Sequence, residues 1–127
     1  MLSTEYRVLS TVFPMNVESI RRYCMSFPHA TETVQWGDDL VFKIAEKMFA
    51  IVVLRPPHHL AFKCAPDKFF ELTEREGIIP APYMARAQWV SVQRHDALEA
   101  GELKELIRNS YDMVKAKLPK KVQAKLK

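Results

Sequence analysis

Glycine is scarce in this chain, with three among 127 residues. A phosphate-cradling loop needs several closely spaced glycines to bare its backbone amides, so that class of nucleotide site is absent. Cysteine is scarcer still. Cys24 and Cys64 stand 40 residues apart in no paired motif, which argues against a disulfide framework and for a reduced compartment. The longest apolar run, Met48–Leu54, has seven residues, against the ~20 of a membrane span. The first residues lack the basic stretch, apolar run and cleavage site of a secretory signal. A cytoplasmic protein without membrane association is expected. The last absence is of acid. Residues 115–127 hold six lysines and no Asp or Glu, so residues 1–114 carry 13 bases against 15 acids, a formal charge of −2. The overall +4 therefore belongs to the tail. Such a tail is either a solvated helix end that frays or a salt-sensitive attractor for polyanions.

What remains is enough for one domain with a real core. Residues 1–14 show no helical period and end in Pro14; they read as an extension, and Met15 is a candidate start. Asn16 caps a helix whose apolar stripe is Val17, Ile20, Cys24 and Phe27, stopped by Pro28. Strand patterns follow at ETVQWG, LVFKIA, MFAIVVLR and HHLAFKC. Gly37-Asp38-Asp39 is a turn, Glu46-Lys47 a hairpin link without the usual glycine, and Pro56-Pro57 a break. MFAIVVLR is apolar on both faces and reads as a central strand. Pro66 opens a short helix that Gly77 closes. Pro80 and Pro82 preset an elbow into a last strand, WVSVQR. A long helix spans 102–118, with Leu103, Leu106, Ile107, Ser110, Val114 and Leu118 as its stripe.

Short links favour antiparallel pairing. The order helix, four strands, helix, strand, helix predicts an α+β fold, an antiparallel sheet with helices on one face. Alternation places Thr33, Gln35, Lys43, Lys63, Trp89 and Ser91 on the other, open face. Lysines neutralise phosphates and an indole stacks on a base, so Lys43, Lys63 and Trp89 are nucleic-acid candidates, with Arg86 at the rim and Lys120 and Lys121 in the tail. Trp36, Tyr83 and Trp89 would line a pocket if the same face takes a protein or a small ligand. The bland reading covers Trp89 with the PAPYMAR loop and leaves the lysines as solubilising charges.

Catalytic patterns are missing. His29, His58, His59 and His95 show no metal-ligand spacing, and adjacent histidines on a strand face opposite ways. Cys24 and Cys64 fall on inward positions, as small hydrophobes. Asp38 and Asp39 sit in a turn, and Glu71, Glu74 and Glu76 decorate a helix. No enzyme, metal or cofactor is expected; a cleft bringing His95 or Asp38 to a matched partner would revive a catalytic reading.

The segments ATETVQWGDDLVFKI, KMFA, LAFKC, GIIPAPYMARAQWVSV and LIRNSYDMVKAKLP resemble the MmcQ/YjbR family of small bacterial proteins. The resemblance runs from about Met15 to Leu126, and PAPY followed by ARAQWV is its most specific piece. It implies a curved antiparallel sheet with helices on one side, similar to bacterial frataxin. It also implies a double-wing arrangement in which the concave sheet face meets DNA. Frataxin-type iron binding transfers poorly, because the first helix here sets Glu18 against Arg21 and Arg22. The expectation is a monomeric domain over 15–118 with a basic tail over 119–127. It would bind DNA weakly and with little sequence preference, or else take a protein or small ligand on the same face.

Overall fold

The computed structural model describes residues 15–126. The expectations for residues 1–14 and Lys127 lie outside the described residues. Four helices, α1 (Val17–Met25), α2 (Pro66–Thr73), α3 (Ala100–Ala116) and α4 (Lys120–Lys125), accompany strands β1 (Ala30–Gln35), β2 (Asp39–Ile44), β3 (Lys47–Val53), β4 (Leu60–Lys63), β5 (Ile78–Pro80) and β6 (Trp89–Val92). The strands form one open antiparallel sheet in the order β1-β2-β3-β4-β6-β5. The α+β architecture expected from the sequence is the one observed.

Local chemistry explains the element ends. The Asn16 carboxamide oxygen accepts from the Ser19 amide at 2.8 Å, and the Ser19 hydroxyl accepts from the Asn16 amide at 2.9 Å. This reciprocal cap satisfies two donors that would otherwise lack partners at the start of α1. The β2–β3 link is Ala45-Glu46, one residue earlier than expected, with φ of 48° and 68°. Two left-handed residues turn the hairpin in the sense that matches strand twist, although neither is glycine. β3 is central and buried from Phe49 to Val52 on both faces, which is why its sequence does not alternate.

The core lies between the helices and one sheet face. Phe42, Phe49, Phe62, Val52 and Val90 meet Ile20, Leu72, Ile107 and Tyr111 there. Phe27, Phe49 and Tyr111 form an aromatic knot with ring centroids 4.8–5.8 Å apart. The Tyr111 hydroxyl donates to the Pro28 carbonyl at 2.6 Å, and Tyr23 donates to the Lys104 carbonyl at 3.0 Å. These bonds lock α1 and its exit to α3.

Two elements differ from expectation. Ile78–Pro80 forms an extra edge strand, β5, where its proline lacks only a donor that an edge can spare. The tail does not fray after Leu118. Pro119 restarts it as α4, Val122 and Leu126 pack against the core, and the Leu126 carbonyl meets the His29 ring. Apolar residues at 118, 122 and 126 repeat every four positions, which gives α4 one face to bury.

Candidate nucleic-acid interface

The strand register fixes what the open face carries. One row runs Thr33, Val41, Ile51, Ala61, Ser91 and Ile79 across the six strands. The adjoining row includes Thr31, Lys43 and Met48 on β1–β3, and Lys63 and Trp89 on β4 and β6. Lys43, Lys63 and Trp89 thus share the face that alternation assigned them.

The face is not wet at its centre. Val41 and Ser91 are buried, and Ile51 and Trp89 expose 6% and 5%. Trp89 packs with Ala81 and Met84 of the β5–β6 loop, so its indole offers no free ring to a base. The reason is the elbow itself. Pro80 ends β5, the Ala81 amide donates to the Trp89 carbonyl at 2.9 Å, and the Trp89 amide donates to the Met84 carbonyl at 3.2 Å. A 3₁₀ turn at Ala85–Ala87 and Gln88 at φ 60° then aim the chain into β6. The loop folds over the tryptophan that follows it.

Lys63 is engaged in the same assembly. Its ammonium donates to the Ala87 carbonyl at 2.6 Å, pinning the loop to β4. Burial, and then the charge of Lys117, lower its pKa. It is a brace first, and less available to a phosphate than its sequence position implied. Arg86, next door on the 3₁₀ turn, is exposed.

The alternative pocket does not assemble. Trp36 stands in the β1–β2 turn, 65% exposed, and Tyr83 projects from the β5–β6 loop, while Trp89 is buried. β1 and β6 are four strand spacings apart, about 19 Å. These aromatics therefore lie toward opposite sides of the sheet. A cavity of about 360 Å³ instead lies on the helical side, between the start of α2 and α3. Lys68 lines it with Asp67 and Asp112, so it is not a concentration of positive charge.

Charge is sorted along the strands. The β2–β3 hairpin end carries Lys43, Lys47 and Lys63. α3 crosses it, because Ser110 binds both Phe49 and Lys63. Lys115 and Lys117 lie beyond that crossing, and α4 brings Lys120, Lys121 and Lys125 back toward His29, just before β1. Among the described residues, none of Lys43, Lys47, Arg86, Lys120, Lys121 and Lys125 forms an ion pair. At the other end the arginines are matched. Arg55 pairs with Asp38, and Arg94 pairs with Glu76 and Asp96 at 3.1 and 3.0 Å.

Among the described residues no three His, Cys, Asp or Glu side chains converge on a metal position. His58 bonds the Val53 carbonyl through Nδ1 at 2.9 Å, and the side chain of His95 lies outside the described residues. Both cysteines are buried, and burial pushes their thiols up to about 12. No described helix is long and apolar enough to cross a membrane.

A family model, YjbR, matches residues 25–113. The chain belongs to the YjbR family. The crystal structure of a Deinococcus radiodurans protein with a DUF419 domain is similar, at 30% identity over 89% of this chain and 88% of that one, with a TM-score of 0.80. A Pseudomonas syringae protein of known structure shares the fold, at 22% identity over 78% of this chain and 98% of that one, with a TM-score of 0.65. No curated protein matches the sequence. The YjbR match takes in the whole sheet and the PAPY loop but stops before Lys115. The lysines of α4 therefore lie outside what the family model describes, and the sheet with its loop-covered tryptophan lies within it.

Proposed function

We propose that this YjbR protein binds nucleic-acid backbone weakly, with little sequence preference, through its lysine-rich end rather than the middle of its open sheet face. The observation that carries this reading is the contrast in pairing. Cations at the β2–β3 hairpin end and on α4 lack ion-pair partners among the described residues, while arginines at the opposite end are matched with carboxylates. Unmatched cations on one surface attract phosphates by counterion release. Lys43 and Arg86 flank this end, and Lys120, Lys121 and Lys125 form its outer part. The buried Trp89 leaves no stacking platform, so affinity of ~10⁻⁴ to 10⁻⁶ M and poor base discrimination are expected. The reading needs no cofactor or catalytic step and suits a cytoplasmic monomer.

The test is fluorescence anisotropy of labelled duplex DNA across a salt series. Replacing Lys120, Lys121 and Lys125 by Gln is expected to weaken binding and lower the log–log salt slope by about 2 to 3. Cutting the tail off would confound the result, because Leu118, Val122 and Leu126 pack against the core. Salt-independent binding, or none at low salt, would sink the proposal.

One observation favours a protein partner instead. Val34, Trp36 and Leu54 are exposed together around the β1–β2 turn, beside β1, the outermost strand among the described residues. DNA affinity untouched by the lysine changes, with Trp36→Ala abolishing a protein interaction, would select that reading.

A further inference from the structure

The loop that hides Trp89 brings another aromatic ring into the open. Between Pro82 and Met84 the backbone turns left-handed at Tyr83, φ 67°, and the tyrosine side chain is fully exposed. That backbone region disfavours any side chain, so it persists only where neighbouring bonds hold it. Here they do. The Met84 amide donates to the Ala81 carbonyl at 3.1 Å, and the Trp89 amide donates to the Met84 carbonyl at 3.2 Å. The Lys63 ammonium holds the Ala87 carbonyl from β4. Ala81 and Met84 turn inward onto Trp89, while Tyr83 stands in water. Large aromatics usually end up mostly buried, and this one is displayed on a braced loop.

The loop also stands at the lysine-rich end. Trp89 opposes Lys63, and Phe62 opposes Ala50, so the start of β6 and the β2–β3 hairpin share one end of the sheet. Two strand spacings, about 10 Å, separate β6 from β3, which Lys47 begins. Arg86 follows Tyr83 by three residues, is exposed, and forms no ion pair among the described residues. From Ile78 to Gln93 there is no Asp or Glu to oppose it. A free ring beside unmatched cations has the two parts that a single strand needs, a face for a base and charge for its phosphates.

We propose that Tyr83 stacks on an unpaired base, so that this end of the molecule prefers single-stranded nucleic acid to duplex. The inference rests on the backbone-binding reading above and adds a base contact to it. In a duplex each base face is covered by its neighbours, and the ring finds none free; backbone contact is then all that remains. Electrostatics alone gives the opposite preference, because a duplex carries the denser charge and the steeper salt response. A preference for the strand therefore cannot come from the lysines. Every base has a π face, so the contact tolerates any sequence.

Fluorescence anisotropy at low salt tests it, with a labelled oligothymidylate of about 15 nucleotides and a duplex of the same length. The unaltered protein is expected to bind the strand more tightly. Tyr83→Ala should weaken strand binding about tenfold, the value of stacking one base, and change duplex binding less than about twofold. Tyr83→Phe should keep the strand affinity. An abasic strand, with the phosphates but no bases, should bind the unaltered protein no better than oligothymidylate binds Tyr83→Ala. Oligouridylate in parallel tells RNA from DNA as the source of the strand, and a preference for either supports the proposal. The ring is exposed, so the thermal midpoint of Tyr83→Ala should match that of the unaltered protein. A duplex bound as tightly as the strand overturns the proposal. So does a Tyr83→Ala variant that leaves strand binding unchanged or weakens both probes alike. In those cases salt-dependent duplex binding still upholds the backbone reading, whereas no binding of any probe at low salt overturns both.

Discussion

Ser110 is a polar side chain in the apolar stripe of α3, and the sheet explains it. A bulge at Phe42/Lys43 shifts the β2–β3 register and leaves Phe49 without a cross-strand partner. The Ser110 hydroxyl accepts from the Lys63 amide at 3.0 Å and donates to the Phe49 carbonyl at 2.6 Å. It stitches two strands that stop pairing at that point. Ser110→Ala removes both partners in a fully buried site and should cost about 1–3 kcal/mol, read as a lower urea midpoint. Glu46 is the converse case. At φ 68° it pays the left-handed penalty, and Glu46→Gly relieves it. After the extra chain entropy of glycine, a net gain of about 0.5–1 kcal/mol is expected, or a few degrees in thermal midpoint. An unchanged or lower midpoint would show that the turn is not strained there.

Helix placement depends on a few cross-element bonds. Arg75, just past the end of α2, grips Glu102 in the first turn of α3 with two hydrogen bonds of 2.8 and 2.9 Å, and reaches Glu71 at 3.0 Å. Those bonds from Arg75 hold the Glu102 carboxyl below its usual range. The stability this adds is present above the ordinary glutamate pKa, about 4.3, and is lost as pH falls through the lower folded value. Both side chains are about a third exposed, so screening keeps the coupling under about 1 kcal/mol. A double-mutant cycle with Arg75→Ala and Glu102→Gln should find that coupling at pH 7 and find it shrinking toward pH 3. A constant coupling would contradict the assignment. The β5–β6 loop follows a related logic, in which Lys63 trades a free charge for a hold on Ala87.

For the whole molecule, the two thiols set an alkaline limit. Burial raises Cys24 and Cys64 from an ordinary value near 9 to about 12. Unfolded thiols ionise near pH 9, while the folded ones hold their protons. Between those values the unfolded state binds fewer protons, and stability falls as pH rises. For Cys24 the loss approaches about 1.4 kcal/mol per pH unit above 9. The urea midpoint should therefore drop between pH 8.5 and about 10.5. A Cys24→Ala, Cys64→Ala double variant should show a shallower drop, and equal slopes would assign the loss to lysines and tyrosines instead. Charge sorting belongs to this scale too, since strands, a loop and two helices all contribute to the lysine-rich end.

Much of the architecture was legible because local patterns carry it. The stripe of α1, the alternation of β2 and β4, and the double apolarity of β3 each follow from a period that one segment contains. So does the assignment of Lys43, Lys63 and Trp89 to one face, since side chains alternate along a strand whatever it pairs with. The resemblance to the YjbR family rested on strings that also lie within single segments. What tertiary structure alone decided is which of those outward residues are free. A loop closing over Trp89, a carbonyl at Ala87 within reach of Lys63, and a core that captures Val122 and Leu126 are contacts between distant parts of the chain. No period in one segment encodes them, because burial is a property of two surfaces meeting.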